Sequence, residues 1–530
     1  MKYGFVMDNR KCIGCHACTT ACKSEHDVPV GVNRTWVKQI EKGQFPETSR
    51  VFQVSRCNQC TDAPCVEICP VESLFIRDDG IVDFNNDRCI GCKSCMQACP
   101  YDALYIDPTT KTAAKCNYCA NRIDIGLEPA CVNVCPTHAI ISGDMDNPDS
   151  EISQILAREK VTVQKAEKGT SPKVFYIDGD LVSLNPTATE KSSDTMWGSQ
   201  VSGVGHYAKF AEELTGKSDI GAMEKELSGK EATFGGDEST YKDGPRRVYD
   251  APDKGILWGW EVSAYILTKA VSSGVFLMAF IAMIFGFAEL DSTLNTVGII
   301  TSIVFLGLTG AFLVKDLDQP KRFAYVLLRP QWNSWLVRGG YAITIYGGLL
   351  SLLLVAGMMQ WREIVNVVNW ITAPFAILVS IYTAFLFAQA KGRDFWQSPM
   401  LAVHMFLHSL ISGIAAFFIL NVFFDSNLAW EAYLTTALYI LIGFNLAIML
   451  VELTITHPTE DTKRTIHMIV KGRYKSKFWI GSILLGNILP LILIWTGGVE
   501  LMVVSGLLLI RGVYITESIW VEAPQRIPLS

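Results

Sequence analysis

The chain has no cysteine after Cys135, although its 530 residues include 16 cysteines. The opening segment MKYGFVMDNRKC lacks an apolar run and a twin-arginine pair, so we expect no export signal. A disulfide framework needs an oxidising compartment, to which nothing in this segment points, and the cysteines are therefore better interpreted as metal ligands. The formal net charge of −6 is too small to indicate a nucleic-acid partner.

The cysteines form four groups of four, and the last three groups each end in C-x3-C-P. In chain order the groups are Cys12, Cys15, Cys18 and Cys22; Cys57, Cys60, Cys65 and Cys69; Cys89, Cys92, Cys95 and Cys99; and Cys116, Cys119, Cys131 and Cys135. The first and third groups have the C-x2-C-x2-C-x3-C spacing of bacterial ferredoxins. Two-residue gaps let one tight loop direct three thiolates at one cubane, while the fourth cysteine reaches a neighbouring cluster.

Structural zinc is the alternative interpretation, because C-x2-C pairs also build zinc ribbons. Zinc sites rarely place three cysteines within seven residues and a fourth before a proline, so iron–sulfur clusters are favoured. The short apolar runs SLFI, GIVDF, ALYI and HAII follow the groups as strands follow cluster loops in ferredoxins. The pattern predicts two ferredoxin-like units in tandem with four [4Fe-4S] clusters, here named the head (residues 1–185).

The head resembles the four-cluster electron-transfer subunit of molybdopterin oxidoreductases, as found in dimethyl-sulfoxide, polysulfide and formate systems. The resemblance implies that ligands are shared between the outer two groups and between the inner two. The implied sets are Cys12, Cys15, Cys18 and Cys135; Cys22, Cys116, Cys119 and Cys131; Cys57, Cys60, Cys65 and Cys99; and Cys69, Cys89, Cys92 and Cys95. His16 and His138 adjoin ligands, but with every thiol present we expect them to be surface residues or neighbours of ligands.

Eight apolar stretches follow, each about long enough to cross a bilayer at roughly 20 residues. We predict them at Leu257–Ala288, Leu294–Val314, Gly339–Met359, Trp370–Ala390, Met400–Val422, Trp430–Leu453, Phe478–Trp495 and Val499–Ile519. Tryptophans near many of the ends fit interfacial anchors, and a soluble all-helical core would not need eight such runs. The predicted fold class is therefore an α+β head of tandem ferredoxin-like domains, followed by an all-α eight-helix transmembrane bundle.

Three further boundaries complete the predicted organisation. Residues 186–254 are rich in Ser, Gly and charged residues and are predicted to be a flexible linker, in which YAKFAEELTG is a candidate short helix. The membrane domain then spans residues 255–520, and residues 521–530 form a C-terminal tail. PKVFYIDGD is predicted to be the last strand of the head.

Basic residues are distributed unequally over the predicted loops. An even number of spans places both ends of the membrane domain on one side, and the loops on the head's side carry 13 Lys and Arg residues. The opposite loops carry only Arg362. By the positive-inside rule, we expect a multi-pass protein of the cytoplasmic (inner) membrane with its head in the cytoplasm, although relatives place the equivalent head outside.

The membrane domain resembles the NrfD-type membrane subunit of polysulfide reductase, an eight-helix anchor that binds quinone. The resemblance rests on the span count, the adjoining head and two loop segments, LVKDLDQPKRFAYVLLRPQWNSWLVRGG and HPTEDTKRTIHMIVKGRYKSKFWIG. It implies a quinone (menaquinone or ubiquinone) as a further cofactor, but the family's individual quinone ligands do not transfer by motif. A haem-b anchor is the rival, and it needs axial histidines from two helices. His404 and His408 share one face of the fifth span, while His457 and His467 lie in a loop, so no haem is expected.

Ionisable residues inside a membrane are costly and are functional candidates for that reason. They concentrate in the half facing the head, where we predict a quinone pocket lined by Glu261, Tyr265, Asp316, His404, His408 and Arg511. The alternatives stay open: helix-end charges meet headgroups, Lys269 snorkels, and a histidine packs without chemistry. Arg511 is expected to pair with Glu517 or Glu261.

The resulting hypothesis is an electron-transfer and membrane-anchor subunit that reacts with quinone and leaves substrate chemistry to a partner. The resemblance implies a molybdopterin- or tungstopterin-containing catalytic subunit as that partner, besides the lipid bilayer. One alternative is a quinol-oxidising subunit of a respiratory complex like alternative complex III, with cytochromes as acceptors. Another is an ion-translocating module, against which the scarcity of polar residues in the far half argues.

Overall fold

The computed structural model describes residues 1–43, 46–189, 245–287, 292–423, 428–455 and 457–530. Most of the predicted linker, including YAKFAEELTG, lies outside the described residues. Within them, an α+β head is followed by helices that include eight long and apolar enough to cross a membrane. The predicted fold class is thereby confirmed.

The head is built on a four-stranded sheet of order β8-β1-β10-β9. Strand β1 (Tyr3–Asp8) pairs antiparallel with β8 (Ile140–Asp144) and parallel with β10 (Val174–Ile177), and β9 (Val161–Thr162) pairs with β10. Strand β8 begins in the predicted segment HAII and continues beyond it, and β10 lies within PKVFYIDGD. The sheet therefore joins the first residues of the head to its last, and Phe5 and Val6 at its centre are fully buried.

Two small hairpins follow the second and third cysteine groups. Strand β4 (Leu74–Ile76) pairs with β5 (Val82–Phe84), and β6 (Leu104–Ile106) pairs with β7 (Ala113–Lys115). Strands β4, β5 and β6 coincide with the runs SLFI, GIVDF and ALYI. The repeat of cysteine loop, short helix and hairpin matches the tandem arrangement predicted from the sequence.

A second, three-stranded sheet of order β11-β2-β3 was not predicted from the sequence. Strands β2 (Thr35–Lys42) and β3 (Ser49–Arg56) form a long antiparallel pair between the first two cysteine groups. Strand β11 (Arg246–Tyr249) adds to β2, although its residues had been placed in the flexible linker. The polypeptide thus returns to the head before it enters the membrane domain.

Among the described residues of the membrane domain, eight helices are long and apolar enough to cross a membrane, and they are here named spans 1 to 8. They are Trp260–Phe285, Ser292–Lys315, Trp335–Met358, Arg362–Gln389, Met400–Leu420, Leu428–Thr454, Lys477–Thr496 and Val499–Gln525. Spans 1 and 5 form the centre, because 72% and 78% of their most apolar windows are buried. Gly274 and Gly413 let these two helices approach closely, since a Cβ at either position would overlap the backbone of the other helix.

The head is docked on the bundle through the loops between spans. Arg322 donates to the carbonyls of Asn86 and Cys89, and Ser334 donates to the carbonyl of Ile68. The predicted C-terminal tail begins instead as the last turn of span 8, and the segment after it is buried between the two domains. Arg247 and Lys165 of the head donate to carbonyls in this segment.

Candidate functional site

Two of the four cysteine sets predicted by resemblance each surround a single cavity. Cys12, Cys15, Cys18 and Cys135 line one, together with Ile13 and Val37. The other is lined by a set from the second and third groups: Cys57, Cys60, Cys65 and Cys99. Both arrangements combine cysteines that are distant in sequence.

The other two predicted sets are also brought together. Burial raises the pKa of the Cys22 thiol well above its ordinary value, and the nearby Cys116, Cys131 and Cys119 thiolates raise it further. Burial likewise raises the pKa of Cys95, with further contributions from nearby thiolates, which belong to Cys92, Cys89, Cys69 and Cys65. Proximity of these thiols is thus shown by their mutual repulsion.

The sets follow one another through the head. Cys18 of one set interacts electrostatically with Cys131 of the next. Cys116 interacts with Cys57, and Cys95 with Cys65. These three links order the sets as a series that begins at the exposed Cys15 and ends at the set containing Cys92.

Local backbone geometry explains how the loops turn their thiols inward. The glycine of each CIGC segment has a positive φ, +68° at Gly14 and +70° at Gly91, a conformation that glycine adopts without steric cost. Backbone N–H groups donate to sulfur, as from Gly91 and Ala113 to Cys89 Sγ at 3.4 Å. Clustered thiols that accept backbone hydrogen bonds fit the ligand chemistry of iron–sulfur clusters.

Polar residues around the thiols include two that the sequence did not single out. Arg56 is fully buried and donates through Nη1 to Cys131 Sγ at 3.1 Å. His26 Nε2 lies 3.2 Å from Cys119 Sγ. The two histidines noted from the sequence contact other groups: His16 bonds Gln39, and the exposed His138 pairs with Glu151.

The loop of Cys92 lies at the junction with the membrane domain. Trp258 Nε1 donates to the Cys92 carbonyl at 3.1 Å, and the Lys93 ammonium lies 3.3 Å from the Asp318 carboxylate. Gly91 packs so closely against Asp318 that a Cβ there would lie 2.7 Å from the aspartate Cβ. The last cysteine set is therefore held directly against the end of span 2.

A cavity of about 120 Å³ lies beside this set, among spans 1 to 4. Cys92 and Trp258 line its head side, and Tyr265, Asp316 and Tyr382 supply its polar groups. The remaining lining residues are mainly apolar, including leucines of spans 2, 3 and 4. An apolar pocket with a few convergent polar groups is the usual form of a small-molecule site.

Asp316 is the carboxylate of this cavity. Its pKa is raised to about 7, chiefly by burial and also by the nearby Glu261 and Asp318 carboxylates, whereas the Lys93 ammonium opposes the change. The carboxyl group therefore exchanges its proton near neutral pH. Glu261 itself is half-buried at the start of span 1.

His404 and His408 lie away from the residues that line this cavity, although the sequence grouped them with Tyr265 and Asp316. They belong to a buried cluster of spans 5, 6 and 8, in which His408 Nδ1 lies 2.7 Å from Glu517 Oε1. His404 Nδ1 lies 3.7 Å from Glu452 Oε2. The two imidazoles meet edge to face with centroids 4.1 Å apart.

The expected pairing of Arg511 was wrong, and the alternative left open for Lys269, that it snorkels, does not hold. Arg511 is exposed on span 8, and no described carboxylate lies within ion-pair distance of it, whereas Glu517 pairs with His408. Lys269 does not snorkel. It is buried, and its Nζ donates to the Ser380 carbonyl at 3.0 Å and to Thr383 Oγ1 at 2.6 Å. Sequence position alone did not reveal which helix face is buried.

A larger cavity of about 510 Å³ lies towards the opposite end of the bundle. Phe276, Met283 and Phe417 line it, with Asn295 and Asn369 as polar groups. None of the described residues lining it is ionisable. Its described lining therefore offers no proton-exchanging group, and it contains none of the cysteines.

Three family models match the sequence. The model described as "Polysulphide reductase, NrfD" matches residues 251–525, which is more than half of the chain. Two models of a 4Fe-4S dicluster domain match residues 11–74 and 48–145, and together these ranges include every cysteine. The cysteine loops and the bundle thus fall in separately matched segments.

Known relatives match about a third of the chain. A tetrathionate reductase subunit of Salmonella typhimurium is 44% identical over 189 residues, 35% of this chain and 76% of that protein. A polysulfide reductase component of Wolinella succinogenes is 45% identical over 181 residues, 33% of this chain and 94% of that protein. The arsenate respiratory reductase iron-sulfur subunit of a Shewanella species is 33% identical over 225 residues, 33% of this chain and 96% of that protein.

Proposed function

The protein belongs to the polysulphide reductase NrfD family, and on that premise we propose that it links a separate catalytic subunit to membrane quinone. Its iron–sulfur head is similar to the electron-transfer subunits of reductases. Electrons pass between the catalytic subunit and the quinone through four [4Fe-4S] clusters in series. The observation that carries the proposal is the series of cysteine sets that ends at the cavity containing Cys92 and Asp316.

Each predicted set would hold one cluster through four thiolates. The sets are Cys12, Cys15, Cys18 and Cys135; Cys22, Cys116, Cys119 and Cys131; Cys57, Cys60, Cys65 and Cys99; and Cys69, Cys89, Cys92 and Cys95. A [4Fe-4S] cluster supplies one-electron transfer at a potential set by its surroundings. The protein keeps the sets adjacent and mostly buried, so that an electron entering at one end reaches the other without solvent contact.

The cavity among spans 1 to 4 is the proposed quinone site. Its apolar walls fit a quinone ring, and Tyr265 and Tyr382 place phenol groups beside the ring position. Asp316 holds an exchangeable proton near neutral pH, which quinone reduction consumes. Thr344 on the cavity's edge is exposed on the outside of the bundle, which provides a path for the isoprenoid tail between spans 2 and 3.

The catalytic partner is proposed to dock where the series begins. Cys15 is exposed there, and Ile13 beside it is 57% exposed. The relatives are named as components of tetrathionate, polysulfide and arsenate reductases. The partner proposed for this chain is a molybdopterin- or tungstopterin-containing enzyme, which would carry the substrate chemistry.

Purified protein in detergent, reconstituted with iron and sulfide where needed, tests the proposal. We expect about sixteen irons per chain, from four clusters of four, and bleaching of the cluster absorbance when a soluble naphthoquinol is added. About four zinc ions in place of iron would refute the cluster assignment. Full iron content with no spectral response to naphthoquinol or benzoquinol, and no reoxidation of reduced clusters by the matching quinones, would refute the quinone assignment.

Purification of the native complex tests the partner. A co-purifying subunit that contains a pterin cofactor would support the reductase assignment. A c-type cytochrome with no pterin would instead support the quinol-oxidising respiratory complex.

A further inference from the structure

The cluster of His404, His408, Glu452 and Glu517 is buried in the half of the bundle that faces the head. The four side chains are each at most 2% exposed. Neither ring nitrogen of His404 has a hydrogen-bond partner among the described residues, and the same is true of Glu452 Oε1. Burying four ionisable groups is costly and adds less stability than apolar packing of the same volume would. The four groups are therefore candidates for a function in exchanging protons.

From this cluster a series of polar groups leads towards the cavity among spans 1 to 4. Glu517 is close enough to Lys269 for their charges to interact. Lys269 Nζ donates to Thr383 Oγ1, and the Thr383 hydroxyl also bonds the phenol of Tyr265. Tyr265 lines the cavity. Each step in this chain joins groups able to donate or accept a proton.

In the other direction the chain leads towards the surface on the head's side. Glu452 lies 3.7 Å from His404 through its Oε2, and Trp520 Nε1 donates to the same oxygen at 3.2 Å. The half-buried His457, just beyond the end of span 6, contacts the Glu452 carbonyl at 2.8 Å. A branch through Thr516, Ser482 and Asn487 contains hydroxyls and amides but no ionisable group. His457 contacts the backbone of Glu452 and not its carboxylate, so it places an ionisable group beside the cluster on the head's side.

The charges of the network leave room for one mobile proton. Three ionisable groups surround the two histidines: Glu517 of span 8, Glu452 of span 6 and Lys269 of span 1. The Lys269 ammonium in turn lies over the ring of Tyr382 in span 4. With both carboxylates ionised and the lysine protonated, the network carries one negative charge. A proton shared by the histidine pair neutralises it, and neutrality is strongly favoured in a low-dielectric interior.

We propose that the His404–His408–Glu517 cluster is a proton-loading site that exchanges one of the two protons of the quinone reaction with the aqueous phase on the head's side. The inference rests on the proposed quinone function and goes beyond it. Quinone reduction takes up two electrons and two protons, and quinol oxidation releases the same. The electrons pass through the cysteine sets, Asp316 exchanges one proton, and the Tyr265–Thr383–Lys269 chain exchanges the other with the cluster.

The test compares His408→Gln and Glu517→Gln with His467→Gln, a control in an exposed histidine on the head's side. Protein in detergent is mixed rapidly with a soluble naphthoquinol, and cluster reduction is followed by absorbance in H₂O and D₂O. Loss of one positioned proton-transfer group typically costs about 10²- to 10⁴-fold in rate. We expect a loss in this range for both variants, with unchanged iron content, an increased solvent isotope effect and recovery of rate on adding imidazole. The control should retain the wild-type rate.

Each outcome decides a different question. Wild-type protein whose clusters are neither reduced by quinol nor, once reduced, reoxidised by the matching quinone refutes the proposed function itself. Variants with the wild-type rate and isotope effect refute the proton-loading site. Slow variants that imidazole does not rescue, and whose isotope effect matches wild type, show a structural role and refute it as well. Lys269→Arg keeps the positive charge and the donor but cannot release a proton, so we expect it to be slowed as Lys269→Met is, and a wild-type rate in Lys269→Arg would refute passage of the proton through Lys269.

Discussion

Arg56 is a buried cation between the first two cysteine sets. Besides its contact with Cys131 Sγ, it interacts electrostatically with Cys116 and Cys18, and its guanidinium lies over the Phe5 ring at 4.5 Å. Its Nε and Nη2 atoms have no hydrogen-bond partner among the described residues. Inorganic sulfides of an adjoining cluster would supply acceptors for these donors, and the fixed positive charge would stabilise the reduced cluster.

Replacing this charge should lower a cluster midpoint potential. We expect Arg56→Met to shift the potential of the cluster bound by Cys131 to more negative values, by on the order of 100 mV for a charge several ångströms away at an effective dielectric of about 20. Redox titration followed by electron paramagnetic resonance measures the shift. Arg56→Lys should shift it less, and Arg50→Met, at an exposed arginine, should leave it unchanged. An unshifted potential in Arg56→Met would contradict the assignment.

The raised pKa of Asp316 predicts a dependence of stability on pH. The folded pKa is about 7 and the ordinary value is 3.8, so the folded state binds this proton more tightly than the unfolded state. The resulting stability is present at low pH and is lost as pH rises towards and through 7. Asp316→Asn should remove this dependence, worth on the order of 2 kcal/mol after allowance for partial exposure.

Thermal unfolding of the two proteins between pH 5 and pH 8.5 measures this effect. The variant should gain on wild type as pH rises, and Asp253→Asn, at an exposed aspartate before span 1, serves as control. Parallel curves for variant and wild type would show that Asp316 does not bind the additional proton.

At the level of single residues, the sequence predicted which residues belong to the candidate sites better than it predicted which of them lie close together. The cysteine spacing named every thiol, and the family resemblance paired them as the structure groups them, because ligand spacing is local. The polar membrane residues were grouped by depth alone, which placed His408 with Asp316. The depth of a residue in the membrane does not reveal which face of its helix it occupies. The separation of the cavity from the histidine cluster, like the burial of Lys269, is therefore visible only in the packed helices.

Among the elements, the contact of spans 1 and 5 depends on two glycines. A Cβ at Gly274 would overlap the Ser409 carbonyl, and one at Gly413 would overlap the Gly274 backbone. Backbone atoms cannot yield as a flexible side chain can, and overpacking typically costs about 1–3 kcal/mol. We therefore expect Gly274→Ala to lower the thermal unfolding midpoint and to separate the helices that carry Lys269 and His408.

The matched control is Gly348→Ala in span 3, where a Cβ would meet no heavy atom within 4 Å. Alanine there should preserve or raise the unfolding midpoint, because it favours the helix. Equal midpoints for Gly274→Ala and wild type would mean that the two helices do not touch at this point.

Strands were predicted where they follow cysteine loops and missed where they do not. The runs after the groups are short and apolar, so they stood out against polar turns. Strands β2 and β3 mix apolar residues with charged ones such as Lys38 and Glu41 without strict alternation, so the sequence lacks the pattern of a strand with one buried face. Strand β11 has only four residues and pairs with β2 across more than 200 positions of sequence, a distance over which local patterns carry no information.

On the scale of the whole molecule, the loops whose basic residues indicate the orientation in the membrane also bind the head to the bundle. Arg322 and Arg393 were counted among the basic residues of the head's side. Arg322 donates to carbonyls of the third cysteine group's loop, and Arg393 is buried against Gln97 and the carbonyls of Pro524 and Ile527. Part of the charge asymmetry thus serves docking of the head, while the remaining basic residues still favour that side as the cytoplasmic one.

Orientation is best tested at single cysteines introduced on opposite sides of the bundle. Glu363 is exposed at the start of span 4, on the side away from the head, and Lys475 is exposed just before span 7, on the head's side. The distribution of basic residues over the loops predicts that the head lies in the cytoplasm. We therefore expect a membrane-impermeant maleimide to label Glu363→Cys in intact cells and Lys475→Cys only in inverted vesicles. Labelling of the unsubstituted protein measures the background that arises from the exposed Cys15. A terminal reporter is a poorer choice, because Ser530 is buried against Arg247 of the head and a fusion there would disturb the docking that it is meant to report. Labelling of Lys475→Cys in intact cells would place the head outside and would move the proton exchange of the histidine cluster to that side as well.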